Sequence, residues 1–77
     1  MRGLTLDARS RMLYDGRHVF LNGDSWRAAG RDATLMKRLA DQRSLDARDL
    51  QGASAAALEL LGAWCESGWA HAQGDAP

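Results

Sequence analysis

The segment from Val19 to Asp41, VFLNGDSWRAAGRDATLMKRLAD, constrains the fold more than any other part of the chain. Apolar residues follow a period of two on both sides of Asn22-Gly23, and after Gly30 the period changes to about 3.6. Asn-Gly is a strong signal for a two-residue hairpin turn, because a type I′ turn needs positive φ at both central positions. The segment therefore predicts a hairpin that leads directly into an amphipathic helix.

A second turn signal, Asp15-Gly16, precedes this segment and predicts one more strand. Together the two turns predict an antiparallel three-stranded meander. With two-residue turns at both positions, Tyr14 would lie opposite Arg17 in the first hairpin, and Val19 would lie opposite Trp26 in the second.

Because side chains alternate along a strand, the meander has two predicted faces. The core face carries Met12, Tyr14, Val19, Leu21, Trp26 and Ala28. The opposite face has an apolar centre among basic and polar side chains, a common composition for a protein contact. We take as the candidate partner face Arg11, Leu13, His18, Phe20 and Arg27. The alternative is that the N-terminal strand or the C-terminal tail covers this face.

Flanking the meander, the sequence predicts a short N-terminal strand and a long helix. The run LTLD would form the strand, with Leu4 and Leu6 on one side. Asp32 is the predicted N-cap of the helix, which ends near Gln42. Its apolar stripe is Ala33, Leu35, Met36, Leu39 and Ala40.

Two further helices are predicted downstream. A short helix begins near Asp46, with Leu45 and Leu50 turned inward. Ser54 caps a third helix, which ends before Gly68 because glycine readily adopts the left-handed C′ conformation. The inward residues of this third helix are Ala57, Leu58, Leu61, Trp64 and Cys65.

The end of the chain completes the predicted architecture. Residues 69–72 return as a short strand or extended segment, and residues 73–77 form a disordered tail. We therefore expect one α+β domain over residues 1–72, with an N-terminal antiparallel three-stranded meander, three helices and a short C-terminal extended segment. A helix, a short helix, a longer helix and an extended return are the order of a winged-helix module.

Composition narrows the class of protein. A chain of 77 residues supports one domain, which buries only about 60% of the surface that the unfolded chain exposes. Its single cysteine, Cys65, excludes an intramolecular disulfide and favours a reducing compartment. No segment reaches the roughly 18 apolar residues of a membrane span, and the charged first residues do not form a secretory signal. We expect a cytoplasmic protein.

Charge is distributed unevenly, and this bears on DNA binding. Residues 1–48 hold all ten Lys and Arg with six Asp, a balance of +4, whereas residues 49–77 hold four acids and no base, a balance of −4. The predicted recognition helix, residues 54–67, has no Lys, Arg, Asn or Gln and exposes Glu59, Ala63 and Glu66. Because phosphates repel carboxylates, binding of nucleic acid through this helix is disfavoured.

Basic residues elsewhere keep an alternative open, namely a DNA-binding winged helix that uses the basic hairpin surface. Residues that could form a patch on the sheet side are Arg9, Arg11, Arg17, Arg27, Arg31, Lys37 and Arg38.

No constellation for catalysis or for metal or cofactor binding is present in the sequence. His18 and His71 are the only histidines and are not at metal-ligand spacing. Cys65 lies on an apolar helix stripe, where free cysteine behaves as a small hydrophobe. Trp26 and the other two tryptophans, at positions 64 and 69, are assigned to the core or an interface rim.

Beyond these patterns, the chain resembles a known family. The run RSRMLYDGRHVFLNGDSWRAAGRDATLMKRLADQRSL and the ending LLGAWCESGW resemble the C-terminal winged-helix domain of bacterial JmjC-type cupin oxygenases, the ribosomal-protein arginine hydroxylases. The hairpin VFLNGDSWRAAGRDA and the terminal WCESGW carry most of the resemblance, which covers residues 9–69.

The resemblance implies an accessory role in protein contact. In that family the oxygenase domain comes first, and it binds Fe(II) and 2-oxoglutarate through His-x-Asp and a distant His. This chain has no His-x-Asp, so the activity does not carry over to any of its residues. The implied partner is an adjacent oxygenase domain or a second copy of the chain.

Overall fold

A computed structural model describes residues 2–73 of the chain and shows a mixed α/β fold. Within these residues the elements are β1 (Gly3–Leu6), β2 (Met12–Tyr14), β3 (His18–Leu21), β4 (Asp24–Arg27), α1 (Gly30–Gln42), β5 (Ser44–Asp46), α2 (Ala47–Gln51), α3 (Ala55–Glu66) and β6 (Ala70–Gln73). The predicted α+β fold, with a meander, three helices and a C-terminal strand, is confirmed.

The strands form two separate antiparallel sheets. The meander sheet has the order β2-β3-β4, and the terminal sheet has the order β5-β1-β6. Leu4 of β1 pairs with Leu45 on one side and with Ala72 on the other. β1 therefore joins segments that are remote in sequence. The short run before α2, which was not predicted as a strand, becomes β5 because β1 offers it backbone partners.

The second hairpin of the meander has the predicted geometry. Asn22 and Gly23 both have positive φ, at 52° and 93°, as a type I′ turn requires. Val19 pairs with Trp26, as the two-residue turn implies.

The predicted pairing of the first hairpin is wrong. Tyr14 pairs with Val19 rather than with Arg17. The Asp15 carboxylate accepts hydrogen bonds from the backbone N–H groups of Arg17 (2.9 Å) and His18 (2.8 Å), which moves the turn one residue along the chain. The pairing shifts by two residues, so every side chain stays on its predicted face.

Helix α1 begins earlier than predicted, and Asp32 does not cap it. Its N-cap is Ala29, which makes no side-chain capping bond. The Asp32 carboxylate instead accepts hydrogen bonds from the hydroxyl of Ser54 (2.6 Å) and from its backbone N–H (3.3 Å). Ser54 Oγ also accepts from the N–H of Ala57 (3.1 Å), so Ser54 is the predicted cap of α3. The link between the two helices is a tertiary contact that local sequence does not encode.

The shorter helix α2 has a complete capping box. Asp46 Oδ1 accepts from the N–H of Asp49 (2.8 Å), and Asp49 Oδ2 accepts from the N–H of Asp46 (3.1 Å). The Asp49 N–H lowers the pKa of Asp46. Leu45 and Leu50 are buried as predicted.

Arg43 joins α1 to the start of the chain. It follows the helix in the left-handed conformation, at φ 62°. One guanidinium nitrogen, Nη2, donates to the backbone carbonyls of Asp7 and Ser10, each at 2.8 Å. The backbone carbonyl of Arg43 accepts from the N–H of Leu6 (2.9 Å). Arg43 thereby holds the β1–β2 connection against the end of α1.

The buried apolar residues in the range 2–73 form one hydrophobic core, to which the sheets and the helices contribute. Its largest fully buried side chain is Trp64, which is 1% exposed, and Ala57 and Leu61 of the same helix are also buried. Leu58 was predicted to face inward but is 40% exposed, and it lines an open depression together with residues of α2. Cys65 is half-buried.

The C-terminal part of the chain differs slightly from its prediction. Gly68 has φ 80°, and the N–H of Trp69 donates to the carbonyl of Trp64 (2.9 Å), so α3 ends as predicted. Gln73, assigned to the tail, belongs to β6. The other tail residues, 74–77, lie outside the described residues. Within residues 2–73, none of the helices has the length and apolar character needed to cross a membrane.

Candidate interaction surface

The outer face of the meander sheet brings together all five residues of the candidate partner face: Arg11, Leu13, His18, Phe20 and Arg27. Leu13 and Phe20 are directly paired at its centre. Leu13 is 69% exposed and Phe20 is 37% exposed, although both are large apolar residues. We use "outer face" for these five residues below.

One end of the outer face is formed by a histidine and an arginine. His18 pairs with Arg27 across the second hairpin, and its ring centroid lies 6.2 Å from that of Phe20. Asp15 Oδ1 lies 3.7 Å from His18 Nδ1. The backbone N–H groups of Arg17 and His18 lower the pKa of Asp15. The carboxylate of Asp15 therefore stays ionised near neutral pH while it holds the turn.

At the opposite end, the turn residue Asn22 fixes Arg11. Its backbone N–H donates to the Arg11 carbonyl (3.0 Å), and its Oδ1 accepts from the Arg11 N–H (2.9 Å). Its amide also donates to Ser10 Oγ (3.3 Å). Within residues 2–73, the guanidinium groups of Arg11 and Arg27 make no ion pair. Two unneutralised cations therefore flank the apolar centre.

The inner face of the meander sheet packs against α1. The Tyr14 hydroxyl donates to the carboxylate of Asp41, with O–O distances of 3.1 and 3.2 Å. This hydrogen bond raises the pKa of the Tyr14 phenol. Lys37 Nζ lies 5.8 Å from the centroid of the Tyr14 ring. Helix α1 occupies the inner face, and Tyr14 lies at its rim, 40% exposed.

The N-terminal strand, one of the two segments suggested as a cover, does not lie over the outer face, and residues 74–77 of the C-terminal tail, the other suggested cover, lie outside the described residues. The N-terminal strand β1 and the C-terminal strand β6 pair with each other in the terminal sheet. Leu13 remains more exposed than any other large apolar residue between positions 2 and 73.

Helix α3 has the acidic exposed surface that the sequence predicts. Glu59, Ala63 and Glu66 are exposed, and α3 contains no basic residue. It is the third helix in chain order, as the predicted recognition helix is, but its surface charge opposes contact with phosphates.

The basic residues proposed as one patch on the sheet side fall into separate groups. Arg9 lies 3.6 Å from the Asp7 carboxylate in the β1–β2 connection, and Lys37 covers the Tyr14 ring. Arg31 and Arg38 lie on α1, where they line a groove toward α2. The sheet side keeps the remaining three: Arg11, Arg17 and Arg27. The predicted patch is therefore smaller than the sequence suggested.

The titratable groups with shifted pKa values have structural causes. His71 Nε2 lies 2.7 Å from Asp7 Oδ1, and this hydrogen bond lowers the pKa of Asp7 and ties β6 to the β1–β2 connection. Burial raises the pKa of the Cys65 thiol. Among residues 2–73, no group of three or more His, Cys, Asp or Glu is arranged to hold a metal ion.

A family model described as ROXA-like winged helix matches residues 1–71 of the chain. The chain belongs to the ROXA-like winged-helix family. This confirms the resemblance to the C-terminal winged helix of the cupin oxygenases. No curated protein and no solved structure is significantly similar to the chain. The ROXA-like winged helix thus presents an exposed apolar sheet face and an acidic third helix.

The sequence did not show that three arginines of this ROXA-like winged helix, Arg31, Arg38 and Arg48, line one groove. Arg48 lines the same groove as Arg31 and Arg38, on the side of α2. Arg31 and Arg38 are seven positions apart on α1, a spacing that places them on one helix face. Only the packing of α2 against α1 adds Arg48.

Proposed function

We propose that this ROXA-like winged helix is a non-catalytic accessory domain that binds a protein through the outer face of its meander sheet. The observation that carries the proposal is the 69% exposure of Leu13 between two arginines, Arg11 and Arg27, that have no acidic partner among residues 2–73. An exposed apolar centre with a polar rim is the composition of a protein interface.

The partner that fits this face has an apolar group opposite Leu13 and Phe20, and carboxylates opposite the flanking arginines. Membership of the family favours a cupin oxygenase domain as that partner, and a second copy of the chain is the other protein that we propose. Chemistry would then reside in the oxygenase domain, with the winged helix serving assembly. We place this contact in the cytoplasm, where a protein with a single free cysteine is stable.

Substitution of the apolar centre tests the proposal. We expect Leu13→Ser to weaken binding to the cupin domain of a ROXA-type oxygenase, measured by calorimetry, by about tenfold or more, because truncating a central apolar anchor costs above about 1 kcal/mol. Sedimentation equilibrium measures self-association of the same variant. Leu58→Ser is the matched control, because Leu58 is an exposed leucine on α3, away from the outer face.

The two binding measurements on Leu13→Ser either support or contradict the role of the outer face. Loss of either interaction in Leu13→Ser, with Leu58→Ser unchanged, supports the proposal. Binding by Leu13→Ser that equals that of the unmodified chain in both measurements contradicts it.

The alternative function is DNA binding through the basic hairpin. Its supporting observation is that Arg17 and Arg27 line one depression of about 310 Å³ at the end of the meander sheet. This function requires salt-sensitive binding to random duplex DNA, because phosphate contacts release counterions. It also requires that the combined Arg11→Glu and Arg27→Glu substitutions abolish this binding. Equal binding by the doubly substituted chain would exclude it.

A further inference from the structure

A groove of about 280 Å³ lies between α1 and α2, on different elements from the outer face. Its basic lining consists of Arg31 and Arg38 from α1 and Arg48 from α2. Thr34 and Gly52 also line it. Three arginines from two helices thus line one groove.

One carboxylate shares the groove, and it is already occupied. Asp49 Oδ1 lies 3.3 Å from Arg38 Nη1, and Asp49 Oδ2 accepts from the N–H of Asp46 in the capping box. The Asp49 side chain is only 14% exposed. Each oxygen of Asp49 therefore already has a partner, Arg38 for Oδ1 and the Asp46 N–H for Oδ2.

The other two arginines lack neutralising groups. Arg31 and Arg48 are exposed, and neither guanidinium makes an ion pair or a hydrogen bond with a residue in the range 2–73. A local excess of positive charge raises the concentration of anions in a concave site. The planar guanidinium fork also matches the two oxygens of a carboxylate or a phosphoryl group.

We propose that this arginine groove, formed by Arg31, Arg38 and Arg48, binds an acidic side chain of a peptide segment, either a carboxylate or a phosphoserine. Arg31 and Arg48 supply two guanidinium groups that have no ion pair within residues 2–73, and Arg38, which pairs with Asp49, is the third arginine of the lining. The site is independent of the outer face, since it uses neither the meander sheet nor its apolar centre.

A nucleic-acid backbone fits the groove less well than a single acidic group. Two exposed carboxylates are close to these helices in sequence, Asp41 near the end of α1 and Asp46 immediately before α2. A polyanion carries a charge at every nucleotide, so its neighbouring phosphates would approach these carboxylates. A single side-chain anion avoids them.

NMR titration of the ¹⁵N-labelled chain provides the test. The probes are a short blocked peptide with one central phosphoserine, the same peptide with glutamate, and the same peptide with serine. We expect saturable shifts of the amides of Arg31, Thr34, Arg48 and Gly52 with the phosphoserine or glutamate peptide and none with the serine peptide.

Two double variants distinguish a site from general attraction. Arg31→Gln with Arg48→Gln should weaken binding of the acidic peptide about tenfold, because both free guanidinium groups are lost. Arg11→Gln with Arg17→Gln removes the same charge from the meander sheet and should change affinity by less than about twofold. Neither Arg31 nor Arg48 holds another described side chain, so the folded spectrum should be retained.

Three results would overturn the proposal. They are the absence of saturable shifts in the groove with both acidic peptides, an equal loss of affinity in the two double variants, and displacement of the acidic peptide by a random DNA duplex that binds the groove more tightly. The last result would assign the groove to nucleic acid. Failure of the Leu13→Ser experiment leaves these measurements unaffected, because they do not involve the outer face.

Discussion

The indole rings of Trp26 and Trp64 meet edge to face, with their centroids 5.2 Å apart and their planes at 61°. This contact joins β4 of the meander sheet to α3 across the core. Trp64 is almost completely buried, and its Nε1 has no hydrogen-bond partner among residues 2–73. Packing against Trp26, rather than hydrogen bonding, holds its ring in place.

Truncation of Trp26 should destabilise the fold substantially. A fully buried tryptophan costs about 3–5 kcal/mol when replaced by alanine, and we expect about 2–3 kcal/mol for Trp26→Ala because its ring is only half-buried. Urea unfolding followed by circular dichroism measures the loss. Trp26→Phe should recover much of it, since a second ring can still pack against Trp64. A loss below about 1 kcal/mol for the alanine variant would show that the contact contributes little.

Ser54 links α1 to α3, so its hydroxyl should matter more than an ordinary cap. Ser54→Ala removes both the bond to Ala57 and the donor to Asp32. We expect a loss of about 1–2 kcal/mol in the free energy of unfolding. Ser25→Ala, an exposed strand position, is the control and should change stability by less than about 0.5 kcal/mol. Equal effects of the two substitutions would contradict the role of the Ser54 hydroxyl.

Arg43 should be sensitive even to a change that keeps its charge. A lysine ammonium is a compact point charge and cannot reproduce the geometry of the guanidinium nitrogen that contacts the Asp7 and Ser10 carbonyls. We expect Arg43→Lys to lower stability by about 1–3 kcal/mol, since two carbonyls lose a charged donor. Arg48→Lys is the matched control and should leave the melting temperature nearly unchanged. If Arg43→Lys is as stable as the unmodified chain, water replaces the hydrogen bonds to the Asp7 and Ser10 carbonyls without a loss of stability.

The pH dependence of stability should reflect Asp7. Its hydrogen bond from His71, with a second from the backbone N–H of Arg9, lowers its pKa in the folded chain. At acid pH the unfolded chain therefore binds more protons than the folded chain. The contribution of Asp7 to the free energy of unfolding is present above the ordinary aspartate pKa of about 3.9, and it is lost as the pH falls through the lowered pKa of Asp7 in the folded chain. The urea concentration at the unfolding midpoint, measured from neutral to strongly acid pH, should decrease between these two pKa values.

The same acid titration should be shallower in Asp7→Asn. Asp24→Asn is the control, because the Asp24 carboxylate has no hydrogen bond or ion pair to a residue in the described range. A slope for Asp7→Asn as steep as that of the unmodified chain would show that other carboxylates carry the acid dependence. Asp15 and Asp46, whose pKa values are also lowered, are the groups that would then be tested.

Local chemistry was sufficient to predict much of the fold. Asn22-Gly23 determines its own hairpin because both residues accept positive φ at little cost. Ser54 and Gly68 mark the ends of α3 because each satisfies backbone groups within a few residues of itself. The two faces of the meander also follow from the sequence, because side chains alternate with a period of two, and an even shift in pairing preserves the alternation.

The errors arise where a side chain has a choice of partners. Asp15 could begin a type I′ turn or accept hydrogen bonds from the next two N–H groups, and the second arrangement shifts the first hairpin. Asp32 is an acceptable N-cap by composition, but Ser54 of another helix offers it a hydroxyl. Leu58 has helical spacing for the core, but it lies at an open depression between α3 and α2 and is 40% exposed.

The sequence by itself determined the three helices, the ends of α3 and the two faces of the meander, because these depend on contacts over a few residues. It also shows that α3 contains no basic residue. Only the tertiary structure decided that β1 lies between β5 and β6, that Arg48 joins Arg31 and Arg38 in one groove, and that Leu13 is left exposed by residues 2–73. Strand pairing and helix packing bring together residues that are far apart in sequence. Neither the hydrophobic period nor the spacing of residues within one segment predicts which of those distant residues become neighbours.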